Sequence, residues 1–243
     1  MINRINILLL SIILIPFISY SQDDMQTKQV EKELLKKAEI VYGLDDRLVN
    51  GLVYKDKHPK ATKHPYFLND SWKKGVIFIN DNVYKNLSLN YNIESEQIIL
   101  NQFFSDRKSV KILLNNNVID SVLLTDRLFI NSKHIKAKEF EGFYELVYRG
   151  NFTAYRKHTK GFHERHTTFD PHGTYSNTES VLYLINKKGE GKKIKGKGSL
   201  LNSFSKYKRQ IKKYIKKNQI IFNKISKNQL INLLQYCDGI SSN

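Results

Sequence analysis

The chain has 243 residues, of which 40 are Lys or Arg and 23 are Asp or Glu, for a net charge of +17. That length suits one sizeable domain or two small ones, and the positive excess suits either an anionic partner or a heavily solvated surface. Cys237 is the one cysteine, so an internal disulfide and a cysteine-based zinc site are both excluded.

Residues 1–21 read as a secretory signal peptide. Arg4 supplies a positive start, an apolar run extends from Ile5 to about Phe17, and Ser19 and Ser21 stand at the small-x-small positions before Gln22. The run is short for a bilayer span, and no second run approaches that length, so no transmembrane span is expected after cleavage. Residues 22–45 read as a helical N-terminal segment, because Val30, Leu34, Ala38 and Val41 recur at helical spacing among charges.

Residues 46–198 change to the pattern of short strands. Asn50-Gly51 is a turn signal. Two strands flank Asp81-Asn82, with Val83, Leu87, Leu89 and Tyr91 placed on one alternating face. "EQIILNQF" is a further strand, and turns are expected at Asn115 to Asn117 and at Thr125-Asp126. Phe143, Glu145 and Val147 alternate with Tyr144, Leu146 and Tyr148 before a turn at Arg149-Gly150-Asn151. A last strand pair surrounds Lys188-Gly189. Residues 199–239 return to helix. Leu200, Leu201, Phe204, Tyr207, Ile211, Tyr214 and Ile215 form one stripe, and Ser226 and Gln229 have the spacing of a capping box that opens a second helix. The expected fold is α+β and mainly β. It is an antiparallel meander (a curved sheet, sandwich or open barrel) with an N-terminal helix and a C-terminal helical pair packed on the same domain.

The stretches "HPYFLNDSWKKGVIFINDNVYKNLSLNYN", "GFYELVYRGNFTAYRKHT", "VLYLINKKG" and "LLNSFSKYKRQIKKYIKKNQIIFNK" resemble an uncharacterised family of exported Bacteroidota proteins. The likeness runs from about Leu48 to Asp238. It implies an envelope or secreted location and a β-then-helix plan, and it supplies no substrate, reaction or catalytic residue.

Four side-chain groups carry chemistry worth testing. His158, His163, His166 and His172 fall within fifteen residues, between two expected strands. Their spacing matches no metalloprotease motif, and on one strand His163 and His166 would point to opposite faces. They are weak metal candidates for a metal-dependent hydrolase. Lys187–Lys227 holds fifteen Lys or Arg against one acid, Glu190. Within it Lys206, Lys208, Arg209, Lys212, Lys213 and Lys216 surround the apolar stripe and are the candidates for an anionic ligand. Tyr207 and Tyr214 lie on the stripe itself, which speaks for core packing over base stacking and against nucleic acid as a partner. Tyr66, Phe67 and Trp72 offer either an aromatic ligand surface or a cap on one end of the sheet. Glu139 and Glu141 form a carboxylate pair on an expected strand face, where solvation is the usual role.

No nucleophile elbow or phosphate loop is present, since "GEGKKIKGKG" lacks the required spacing. No cofactor is expected. The sequence therefore predicts an exported, non-enzymatic envelope protein with a structural or interaction role. Its alternatives are a module that binds an anionic glycan or lipid surface through residues 187–227, and a metal-dependent enzyme that uses the histidine segment.

Overall fold

The computed structural model describes residues 52–103, 109–137, 139–165 and 167–241. The signal segment, the 22–45 helix, the Asn50-Gly51 turn and His166 lie outside the described residues. The described residues belong to one compact unit.

Among the described residues, eleven strands make one antiparallel sheet. In chain order they begin with β1 (Leu52–Val53), β2 (Lys73–Ile79), β3 (Asn82–Asn92), β4 (Gln97–Phe103), β5 (Ser109–Leu113), β6 (Ser121–Leu124) and β7 (Arg127–Asn131). They continue with β8 (Phe143–Arg149), β9 (Phe152–Thr159), β12 (Glu179–Asn186) and β13 (Gly191–Ile194). The short β10 (Phe162–His163) and β11 (Thr174–Tyr175) pair with each other in the connection between β9 and β12. The spatial order is β1-β5-β4-β3-β2-β6-β7-β8-β9-β12-β13, so two meanders join where β2 pairs with β6. The sheet is open, and β1 and β13 are its edges.

Three hairpin turns hold a residue with a left-handed backbone, which Asn and Gly adopt readily and the β-branched Thr125 does not. Asn80 (φ 49°) and Thr125 (φ 58°) sit in the two-residue connections β2–β3 and β6–β7, and Gly189 (φ 85°) turns β12 into β13. Irregularities set which face some residues take. The β2–β3 register shifts between Gly75 and Ile77, beside Asn86 at φ 58°. That shift buries Tyr84 with Leu87, Leu89 and Tyr91 and leaves Val83 exposed, against the simple alternation expected for this strand. A second shift between Leu146 and Tyr148 turns both Val147 and Tyr148 toward the helices over Ala154.

Three helices follow the sheet, α1 (Lys197–Ser203), α2 (Lys208–Lys217) and α3 (Lys227–Ser241). The expected first helix of the pair is broken at Phe204, which leaves the helical region (φ −120°, ψ 51°) before a 3-10 turn at Ser205–Tyr207. The serines around the break are a physical reason for it. Ser203 Oγ donates back to the Ser199 carbonyl at 3.0 Å, and Ser, like Asn, competes with helix continuation. The capping box forms as read. The Gln229 N–H donates to Ser226 Oγ at 3.2 Å and the Ser226 N–H donates to Gln229 Oε1 at 3.1 Å.

The helices cover the face of β8, β9, β12 and β13 that carries Val147, Ala154, Leu182, Leu184 and Ile194. Leu200, Leu201, Ile211, Ile215, Leu230, Leu233, Leu234 and Cys237 complete this core. Tyr214 of α2 stacks on Tyr236 of α3 with ring centroids 4.2 Å apart, so the tyrosines of the stripe are packing residues. Asp238 ties α3 to the β8–β9 turn. Its carboxylate accepts from the Tyr148 hydroxyl at 2.7 Å and the Asn151 N–H at 3.0 Å. Gly150 permits this approach, since a Cβ there would lie 2.1 Å from Asp238 Oδ2.

Candidate functional site

The cations expected to meet an anionic ligand stand together on one exposed face. The stripe Ile211, Tyr214 and Ile215 turns inward on α2, and helical geometry then sends Lys208, Arg209, Lys212, Lys213 and Lys216 outward, with Lys206 exposed in the preceding turn. Lys216 and Lys217 also stand in the last turn, where the helix dipole favours positive charge. Lys192, Lys195 and Lys197 add exposed positive charge along β13 and into α1, while Lys193 of β13 is exposed beside Tyr183. Lysines on an edge strand block pairing with other sheets, which accounts for those of β13. That reason does not reach α2, which has no strand edge to protect.

Partners for these charges are scarce. Among the described residues, Lys227 is the one cation of the segment in an ion pair, with Asp126 Oδ2 at 2.8 Å. Lys197, Lys212 and Lys216 stand round a shallow groove of about 590 Å³ whose remaining wall includes Ile215, Ile220 and Ile221. The surface is thus a cationic rim over a partly apolar floor, held by a helix that is fixed from beneath.

The three described histidines of the four, His158, His163 and His172, are not brought together. His158 belongs to β9, not to the connection, and its ring is buried at 5% exposure. His163 is exposed on β10, His172 is exposed in the turn before β11, and His166 is outside the described residues. Among the described residues no group of three His, Cys, Asp or Glu side chains could hold a metal ion. The connection of which His163 and His172 form part is pinned elsewhere, by Phe162 stacked on His58 with centroids 3.6 Å apart.

The aromatic candidates divide. Phe67 is core, 2% exposed, and packs edge-on against Phe129 with centroids 5.0 Å apart. Tyr66 is also buried, and its segment bridges to Asn92. Trp72 is half-buried and helps line a cavity of about 290 Å³ with Tyr66, His64 and Asp70. Phe67 is therefore taken up by the core, while Tyr66 and Trp72 share the lining of this cavity. Glu139 and Glu141 precede β8 and are exposed, so they do not share a strand face.

The residues missed in the sequence are those of a buried polar strip. Glu145 of β8 is wholly buried. His158 Nε2–H donates to Glu145 Oε2 at 2.7 Å, and Arg127 Nη1 of β7 donates to Glu145 Oε1 at 2.7 Å. His158 Nδ1 is left to accept from Ser180 Oγ of β12 at 2.8 Å. Register explains the strip. His158 lies directly opposite Ser180, whereas Glu145 is opposite Arg156 and so meets His158 on the diagonal. Burial alone would push the Glu145 carboxyl up. The His158 hydrogen bond and the charges of Arg127 and Arg156 outweigh it and hold the group below its ordinary value. Burial, with help from the two arginine charges, keeps the His158 ring below its usual value despite Glu145.

Serine, histidine and glutamate in line are also the parts of a nucleophilic relay. Such a histidine must accept a proton in the reaction. Here two arginines oppose that charge, the carboxylate is shared with Arg127, and the ring lies against Phe67 with centroids 4.9 Å apart. The strip aligns four strands. A polar residue at an inward position of "GFYELVYRG" was the available signal, but its partners depend on strand register.

No helix among the described residues is long and apolar enough to cross a membrane. Comparison with protein-family models, with curated proteins and with solved structures finds no match to this chain.

Proposed function

We propose that this protein is an exported envelope protein that acts as a binding module, holding an anionic ligand on the surface of Lys187–Lys227. One observation carries the reading. The cations of α2 are exposed and, among the described residues, form no ion pair, while a packed apolar stripe fixes the helix beneath them. A charge left without an internal partner keeps its interaction energy for an external one. The N-terminal signal pattern supports a location where anionic glycans and lipid headgroups are the polyanions at hand.

The test is retention of the protein on immobilised polyphosphate and on vesicles containing an anionic lipid, each developed with a salt gradient. Release at moderate salt from either support is expected, since exposed charges separated by more than about 10 Å are largely screened at 0.1 M. Failure to bind both supports at low salt sinks the reading. Export is checked separately by sequencing the N-terminus of the mature protein, expected to begin at Gln22; a chain that starts at Met1 speaks against it.

A further inference from the structure

The other face of the same strands carries a second groove. It lies between the loop that leads into β8 and the β12–β13 hairpin, and has a volume of about 590 Å³. Its floor is aromatic. Phe140 stacks on Tyr144 with centroids 4.3 Å apart and planes 9° apart, and Tyr183 meets Phe140 edge-on at 4.9 Å. Phe140 and Tyr183 are half-buried, so part of each ring still meets solvent.

The rim is charged, with Lys136, Lys188 and Lys193 facing the groove alongside Glu139 and Glu190. Glu190 is already engaged, its Oε2 accepting from Asn186 Nδ2 at 2.7 Å. The Lys193 ammonium lies 6.0 Å from the centre of the Tyr183 ring. One end is closed by Gly189, whose positive φ and lack of a Cβ let the hairpin rest on the Lys136 carbonyl; a Cβ there would lie 2.5 Å from that oxygen. Burial pushes the Tyr144 hydroxyl up to about 12, so it remains a hydrogen-bond donor across the working range.

We infer that this groove is the ring-binding subsite of the anionic ligand, and that the ligand is an acidic polysaccharide. The inference rests on the binding reading above and names its ligand class. Three features select a sugar acid over other polyanions. The volume lies within the usual range for small-ligand sites, which combine apolar walls with a few placed polar groups. Aromatic faces carry negative quadrupole charge and so suit the C–H face of a pyranose. The lysines supply partners for a ring carboxylate, and the hairpin that holds Lys188 and Lys193 also carries Lys192, opposite Leu184, on the face that the helices cover. A long acidic chain thus meets aromatic platforms on one side of the β13 edge and bare cations on the other.

The experiment is titration calorimetry of the full mature chain with hexagalacturonate, with a neutral glucose hexamer and polyphosphate as controls. Hexagalacturonate should bind. Tyr183→Ala should weaken it at least tenfold, and Lys193→Glu, an exposed position that does not threaten the fold, should do the same. Polyphosphate should be weakened by Lys212→Glu/Lys216→Glu and left within twofold by Tyr183→Ala. Hexagalacturonate affinity within twofold of the unaltered protein in Lys193→Glu overturns the subsite while polyphosphate binding upholds the basic surface. Binding to anionic vesicles without binding to hexagalacturonate also overturns it, and absence of binding to every anion overturns both readings.

Discussion

Two regions of this molecule are built from charged side chains and put them to opposite uses. In the strip across β7, β8, β9 and β12, the wholly buried Glu145 has both oxygens occupied, by Arg127 and His158. On α2 the cations are exposed and without ion pairs among the described residues. Burial forces pairing, because an isolated charge away from water is very costly. Exposure removes that requirement, so an unpaired cluster needs another reason to persist. The difference teaches where to look for function. The strip spends its charges on holding strands in register, and the helix leaves its charges available.

Breaking the strip should give the largest effect on stability. Glu145→Ala leaves Arg127 and the His158 N–H without their acceptor, and removal of one partner from a buried ion pair costs about 3–5 kcal/mol. Urea unfolding measures this; a loss under 1 kcal/mol would mean that the strip is not a unit. Next comes Asp238→Ala, which takes the acceptor from Tyr148 and the Asn151 N–H and should cost about 1–3 kcal/mol. An unchanged melt would show that α3 is held by its apolar face alone.

Acidification should cost less and in a defined direction. The folded-state pKa of His158 is below its ordinary 6.5, so near and below that pH the unfolded chain binds more protons than the folded one. Stability is then complete above about pH 6.5 and falls as the pH drops through the lowered value, with Glu145 adding a second loss below its ordinary carboxylate range. Urea midpoints between pH 7.5 and 5 follow the first loss, which His158→Gln should reduce and not abolish, because burial and the Lys160 charge hold His64 below its ordinary value as well. A midpoint that rises on acidification contradicts the sign. The smallest effect on stability belongs to Lys212→Glu/Lys213→Glu/Lys216→Glu, which touches no packed contact and should leave the urea midpoint nearly unmoved.

Much of this fold was legible in the sequence, for local reasons. The alternation of "GFYELVYRG", the turns at Thr125-Asp126 and Lys188-Gly189, the apolar stripe of α2 and the Ser226–Gln229 box depend on neighbours in the chain, and each is present. What was not legible depends on partners far away. His158 looked like one of a loop cluster because three more histidines follow it closely. Its real partner, Glu145, is set by a diagonal contact between strands, which a register shift of one residue would destroy. The groove of Phe140, Tyr144 and Tyr183 was hidden for the same reason, since the strand that carries Tyr183 is distant in sequence. Phe204 read as one more member of a continuous stripe, and the serines beside it end that helix.

The central claim is that the α2 surface binds anions by its unpaired charge. The most direct measurement is the affinity for polyphosphate of the unaltered protein and of Lys212→Glu/Lys213→Glu/Lys216→Glu across a salt series. The unaltered protein should lose on the order of a hundredfold in affinity between about 50 and 200 mM salt, as counterion release at about four or five contacts requires. The variant, folded to the same urea midpoint, should bind at least tenfold more weakly at the lowest salt and show a shallower salt dependence. Equal affinity and equal slope for the two proteins would place the binding surface, if there is one, somewhere other than α2.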